Sequence, residues 1–156
     1  MSRRTADDAS WGMAMKKFVT TIEIEAPSDR VWQVMSDIDR WSDWTPTVKR
    51  LTRLEDAPFA LGTRVRILQP RLPAVIWTVT RIDPGAGFGW TARGPGFNVL
   101  GDHDVRARPG GSLAMLSLTY SGPIGLVLAC CTRGIIERYL ALEASSLKTR
   151  CEDGLR

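Results

Sequence analysis

The chain holds a single histidine, His103, inside the alternating run Phe97–Arg108. One face of that run reads Phe97, Val99, Gly101, His103, Val105, Ala107, and the other reads Asn98, Leu100, Asp102, Asp104, Arg106, Arg108. Successive strand side chains point to opposite faces, so the histidine lies on the apolar side and neither flanking aspartate can pair with it. Two roles fit: a buried imidazole held by a structural partner, or a polar group inside a pocket that orients a ligand or carries a proton near neutral pH. Tyr120, near the end of the last strand run, offers a hydroxyl for a pocket mouth or a ring for rim packing. Five of the six tryptophans, Trp32, Trp41, Trp44, Trp77 and Trp90, fall within predicted elements. Each buries on the order of 200 Å², either as core or as a flat apolar wall for a ring-shaped ligand.

Other chemistries lack their residues. The three cysteines include the adjacent pair Cys130 and Cys131, and no Cys-x-x-Cys spacing occurs. With one histidine, a protein zinc site is not expected, and the thiols read as free in a reducing cytoplasm. No cofactor is expected. The glycines 85, 87 and 89 precede no helix whose N-terminus would hold a phosphate, so they belong to a turn. No serine or cysteine sits in a nucleophile motif and no carboxylate pair stands out. The net charge of +4 is spread among acids, unlike the concentrated patch of a nucleic-acid binder. The longest apolar stretch, Ile124 to Cys131, falls far short of the roughly 20 residues of a membrane span. After Arg3 and Arg4, the charges of Asp7, Asp8 and Lys16 leave no apolar run for a secretory signal. Stable membrane insertion is therefore not expected, a cytoplasmic location is, and a homodimer is left open.

The elements that must position these residues follow from periodicity. Residues 1–15 show no sustained period and read as a flexible tail in which Trp11, Met13 and Met15 have room to dock; residues 16–152 read as one domain. Phe18, Thr20, Ile22 and Ile24 alternate with Val19, Thr21, Glu23 and Glu25, which is a strand with one wet face. Pro27, Ser28 and Asp29 suit a helix start, and Val31, Trp32, Val34, Met35 and Ile38 follow at helical spacing. A second short helix spans Asp39–Trp44 and ends before Pro46. Strands then cover Val48–Glu55, whose inward face the pattern does not assign, Thr63–Gln69, Ala74–Ile82, Phe88–Arg93, Phe97–Arg108 and Ser112–Ser121. The breaks between them include Asp83-Pro84-Gly85 and Pro109-Gly110-Gly111. The last element reads as one long amphipathic helix from Ile124 to Arg150. Leu128, Ile135, Tyr139 and Leu142 form its apolar stripe, reinforced by Ile136, Leu140 and Leu147, with Glu143 largely on the polar side and Gly134 as a weak spot. The fold class is α+β, with the helix laid on a one-sided sheet.

That order resembles the START-like superfamily, also called helix-grip or birch-pollen-allergen-like, and especially its polyketide cyclase/dehydrase branch. The pieces that carry the likeness are Ile22-Glu23-Ile24-Glu25-Ala26-Pro27, Val31-Trp32, Asp37 followed by Trp41 and Trp44, Gly62-Thr63, Asp83-Pro84, Trp90, His103 and Gly122-Pro123. The resemblance implies a curved antiparallel sheet of seven strands gripping the C-terminal helix, two short helices after the first strand, and a cavity between sheet and helix. The segment Trp77-Thr78-Val79-Thr80-Arg81 is similar to the cavity strand of single-domain aromatase/cyclases, which implies that Trp77 and Arg81 face the ligand; Trp41 matches a cavity tryptophan of the same proteins. The other reading of Arg81 is a surface arginine displaced by a bulge near the Asp83 turn. Val79 and Val48 depart from that pattern, where those proteins carry a hydroxyl residue and a tyrosine.

The expected function is binding of an apolar or aromatic small molecule, such as a lipid, a quinone or a polyketide-like compound. Trp41, Trp44, Trp77, Trp90 and Tyr120 are its expected contacts. The rival is a cofactor-independent cyclase or dehydratase that uses His103 for proton transfer and Arg81 to hold an oxyanion. A surface role for Ile124–Cys131 is a third class.

Overall fold

Side-chain alternation predicts where strands form, and the computed structural model of the chain, which describes residues 14–153, turns every alternating run into a strand. The strands are β1 (Met15–Ile24), β2 (Arg50–Arg53), β3 (Arg64–Leu68), β4 (Val75–Asp83), β5 (Gly87–Gly94), β6 (Phe97–Arg108) and β7 (Gly111–Ser121). They form one antiparallel sheet in the order β1-β7-β6-β5-β4-β3-β2, so the first strand lies against the last. Met15, assigned to the tail from sequence, is the first residue of β1. The rest of the expected tail, with Trp11 and Met13, lies outside the described residues apart from residue 14.

Between β1 and β2 the chain forms α1 (Ser28–Ser36), a 3-10 turn at Ile38–Arg40, and α2 (Trp41–Trp44). The carbonyl of Pro27 opens α1 by accepting from the amides of Arg30 and Val31, at 3.0 and 3.2 Å. Val31, Val34 and Met35, spaced i, i+3 and i+4, are buried against the sheet. β1 buries Phe18 and Ile24 and β6 buries Val99, Gly101, His103 and Val105, the faces that alternation assigns.

The terminal helix departs from expectation because it is two helices, α3 (Pro123–Cys131) and α4 (Arg133–Glu152), which meet at Thr132. Thr132 leaves helical geometry, with φ −108° and ψ 11°, and its hydroxyl donates to the Leu128 carbonyl at 2.7 Å. A β-branched residue whose hydroxyl bonds back one turn bends a helix, and Gly134 just beyond adds little helical preference. The far end of α4 is tied to β1: Lys148 Nζ donates to the Glu23 carbonyl at 2.9 Å, and the Glu25 amide donates to Glu152 at 2.8 Å.

The apolar interior is divided. One cluster joins α1, α2 and the inner faces of β3–β6 with Leu147 and Cys151 from the end of α4, and includes Trp41, Val65, Phe88 and Trp90. The other joins Phe18, Leu116, Ala129, Ile136, Leu140 and Ala144 where α3 and α4 cross β1 and β7. In the first cluster Gly101 lies beneath the Trp90 indole, where an added Cβ would stand 2.8 Å from Nε1 and 2.9 Å from Cδ1. Gly101→Ala should therefore displace the ring and destabilise the fold by about 1–3 kcal/mol. Gly134→Ala meets open space, with nothing within 4 Å, and should stabilise by up to about 1 kcal/mol. Urea unfolding midpoints of the two variants, moving in opposite directions, check both statements.

Candidate functional site

The two apolar clusters do not merge. A cavity of about 360 Å³ lies between them, within the size range of small-molecule sites. Trp41, Val48, Ile67, Trp77 and Trp90 wall it on the side of the first cluster. Leu118 and Tyr120 of β7 and Leu128, Ile136 and Leu140 of the terminal helices wall it on the other. Leu72, Pro73 and Val75, from the β3–β4 connection and the start of β4, complete the wall. The hydroxyl of Tyr139 donates to the Pro70 carbonyl and ties α4 to that connection.

The walls are rigid because their rings brace one another. Trp41 is 5.2 Å from Trp90, which is 5.8 Å from Trp77, ring centre to ring centre. The Trp41 indole N–H donates to the Met35 carbonyl at 3.0 Å, so its polar atom is satisfied away from the cavity. Trp44 does not reach the cavity wall. It is half-buried, braces Trp41 from outside at 5.7 Å, and turns toward Ser145 and Thr149 on α4. Trp41 takes the place against Phe88, Trp90 and His103, and Trp44, three residues on, packs behind it.

His103 does face inward and carries the strongest polar contact at the cavity. Its Nε2 lies 2.9 Å from Oε1 of Glu143 on α4, and both residues line the space. With the carboxylate ionised, the shared proton sits on Nε2, since that oxygen only accepts. The ring stacks on Phe88 at 4.7 Å with planes 8° apart, and Trp41 and Trp90 flank it at 5.0 and 5.4 Å. Nδ1 is buried inside this aromatic cage with no hydrogen-bond partner among the described residues. Of the pair, Glu143 is therefore the one left to meet a ligand.

Glu143 corrects the sequence reading, which put it on the polar side of the helix. It follows Ile136 by seven residues and Leu140 by three, and precedes Leu147 by four, so it belongs to the buried stripe. A carboxylate in the buried stripe of a helix was the available signal for a site residue.

Arg81 lies on the other face of the sheet. The β4–β5 register slips between Val79 and Arg81, which pair with Trp90 and Gly89. The extra residue, Thr80, reverses the alternation after Val79, so Arg81 shares the outer face with Gly89 while Ile82 points inward opposite Phe88. Gly89 leaves room for it: a Cβ there would lie 3.6 Å from the Arg81 Nε and 2.7 Å from an Asp102 oxygen. The guanidinium binds Asp102 and Asp104 at 3.1 and 2.7 Å, and also Asp83. Burial works against its charge, but the bonds to Asp104, Asp83 and Asp102 outweigh burial and raise its pKa. An arginine so neutralised on the outer face cannot hold an oxyanion in the cavity.

Tyr120 lines the cavity, its ring edge-on to Phe18 at 6.1 Å, and burial pushes its hydroxyl up to about 12, so it remains a neutral donor. Cys151 is buried and its thiol is pushed up to about 11, chiefly by burial, whereas Cys130 and Cys131 are exposed. Among the described residues, no cluster of three or more His, Cys, Asp or Glu side chains could hold a metal.

The family described as polyketide cyclase / dehydrase and lipid transport matches residues 15–152, all seven strands and four α-helices. The chain belongs to that family. Solved structures share its fold. Norcoclaurine synthase from Thalictrum flavum superposes with a TM-score of 0.72 at 15% identity, covering 90% of this chain and 88% of that one. The Zhui aromatase/cyclase from a Streptomyces species gives 0.70 at 20% identity, over 92% and 97%. The di-domain ARO/CYC StfQ from the steffimycin biosynthetic pathway gives 0.70 at 15% identity over 89% of this chain, which spans 51% of that protein. Identities this low establish the helix-grip fold alone. No curated protein matches the sequence significantly.

Two outcomes check the site. Arg81→Met should leave binding in the cavity unchanged within about twofold while lowering the unfolding midpoint, because three carboxylates lose their counter-charge. A loss of ligand binding without loss of stability would return the arginine to the cavity. Tyr120 favours its protonated form in the folded state, so its contribution is complete below pH about 10 and is lost as pH rises toward about 12. The stability of the wild type relative to Tyr120→Phe should stay flat below that window and fall as pH rises through it.

Proposed function

We propose that this protein binds a flat, apolar small molecule of the lipid, quinone or polyketide-like class, without covalent chemistry, in the cavity between sheet and helix. The observation that carries this reading is a cavity of about 360 Å³ walled by three tryptophans, with its charged polar contact confined to His103 and Glu143. Trp41, Trp77 and Trp90 provide a surface for about two or three fused rings, and a ligand that buries roughly 200 Å² of apolar area gains about 5 kcal/mol before the costs of association. Tyr120 donates a hydrogen bond from one side and Glu143 accepts one from the other, which orients a ligand carrying a carbonyl and a hydroxyl. The setting in this reading is the cytoplasm, with Cys130, Cys131 and Cys151 as free thiols and no nucleic-acid partner.

The His103–Glu143 pair favours one second reading, a cofactor-independent cyclase or dehydratase. There Glu143 takes a proton from a carbon beside a carbonyl and returns it to the departing hydroxyl, which leaves as water. His103 acts as a positioning residue, because its Nε2 is engaged by the carboxylate and its Nδ1 is enclosed in the aromatic cage.

A titration of an environment-sensitive naphthalene dye, with displacement by quinones and polycyclic phenols, tests the binding reading. Val75→Trp and Ala92→Phe, both facing the cavity, should weaken dye binding at least tenfold while circular dichroism stays native. Saturable binding that both fillers leave intact would place the ligand elsewhere and end this reading.

A further inference from the structure

Helix α3 is patterned inside out. Its small residues Gly125 and Ala129 face the protein and are buried, with Gly125 against Phe97 at the start of β6. Its large apolar residues face water: Ile124 is 48% exposed, Val127 60% and Leu128 38%, and Cys131 is exposed as well. Positions 124, 127, 128 and 131 follow the i, i+3, i+4, i+7 rule, so they form one continuous stripe on the solvent side. Nine residues are far too few to cross a bilayer, and among the described residues no helix is long and apolar enough to do so.

Charge is uneven along the same axis. The strand registers place the start of β1, the β5–β6 hairpin and the end of β7 at one end of the sheet, beside α3. The Gly96 carbonyl of that hairpin accepts from the amides of Ile124 and Gly125, and Tyr139 brings the β3–β4 connection to the same end. The segments that meet there, 14–20, 69–75, 92–98 and 119–139, carry Lys16, Lys17, Arg71, Arg93, Arg133 and Arg138 against a single acid, Glu137. Lys16, Lys17 and Arg133 share one surface hollow beside α3 with Glu137, which pairs with Arg133 at 2.9 Å and leaves the two lysines as the excess charge. Toward the opposite end Glu23, Glu25, Asp29, Asp83 and Asp104 are mixed with Arg30, Arg81, Arg106 and Arg108, so charge there is balanced by ion pairs.

From this juxtaposition of an exposed apolar stripe, a rim in net basic excess and the cavity mouth at Leu128 and Thr132, we infer that this end of the molecule docks on an anionic lipid bilayer. The α3 stripe lies in the interface, the lysines and arginines face the headgroups, and the cavity opens toward the bilayer. In-plane helices with a broad apolar face and a basic surround bind lipid surfaces in this way. A second copy of the chain would have to bring the same basic rim against itself, and that repulsion favours lipid. The inference does not depend on what the cavity holds, so its failure would leave the binding reading standing.

The test is vesicle flotation of the full chain with phosphatidylcholine alone and with phosphatidylcholine mixed with phosphatidylglycerol, at low and high salt. The wild type should float with the anionic vesicles and at least tenfold less with the neutral ones, and high salt should weaken the association. Val127→Glu, and the pair Lys16→Glu with Lys17→Glu, should each reduce binding at least tenfold, while Met115→Glu, on the outer face of β7, should not. Circular dichroism confirms that each variant is folded. Failure of the wild type to float with either vesicle would overturn the inference, as would flotation that Val127→Glu leaves unchanged. A solution dimer that Val127→Glu dissociates would give the stripe to a second copy instead.

Discussion

A single straight helix cannot cover the whole concave face of a twisted seven-stranded sheet, and the interior of this protein follows from that mismatch. Helix α4 runs along β1 and β7, and its last turns reach the first apolar cluster through Leu147 and Cys151. Helix α1 packs on β6 and β7, and the inner faces of β3 to β5 are left to Trp41 of α2 and the aromatic side chains around it. Packed cores leave few voids wider than a water molecule, so a space of about 360 Å³ is a property of this architecture and not of a missing side chain. The rings that border it support one another from ring to ring, which lets the space stay open without collapse.

Polar groups are allocated by face. On the outer face Arg81 gathers Asp83, Asp102 and Asp104, which keeps three carboxylates and their counter-ion away from the interior. On the inner face His103 and Glu143 bridge sheet and helix across the space. The pair lies between β6 and α4, so anything entering the cavity meets a mostly apolar surface with one oriented carboxylate. A low-dielectric setting strengthens such a contact and penalises any ligand that cannot satisfy it. Selectivity in this fold therefore rests on very few atoms.

Much of this was legible in the sequence because it is local. The alternation of Phe18 to Ile24 and of Val99 to Val105, the Asp83-Pro84-Gly85 turn and the inward imidazole all follow from period-two patterning and turn chemistry. The helix-grip likeness supplied the cavity and the place of Trp41, Trp77 and Trp90 along it. What was not legible is non-local. The family likeness put Arg81 on the cavity face and the nearby turn allowed a bulge that would displace it to the surface; the slip at Thr80, which exists only in relation to β5, decides for the outer face. Glu143 looked like a solvated helix residue until β6 brought an imidazole opposite it. The break at Thr132 lies within a pattern that reads as one continuous helix, and Trp44 was drawn toward the cavity by its neighbour in a helix of only four residues.

The stacking of His103 on Phe88 makes the interior observable without labels. Two nearly parallel rings with centres 4.7 Å apart put the imidazole carbon-bound protons in the shielding cone of the benzene ring. The chain contains one histidine, so those protons give a single isolated pair of resonances, displaced upfield and free of overlap from any other imidazole. Whatever enters the space or breaks the bridge to α4 must tilt that ring, and the magnetic environment of one residue then reports the occupancy of the whole chamber.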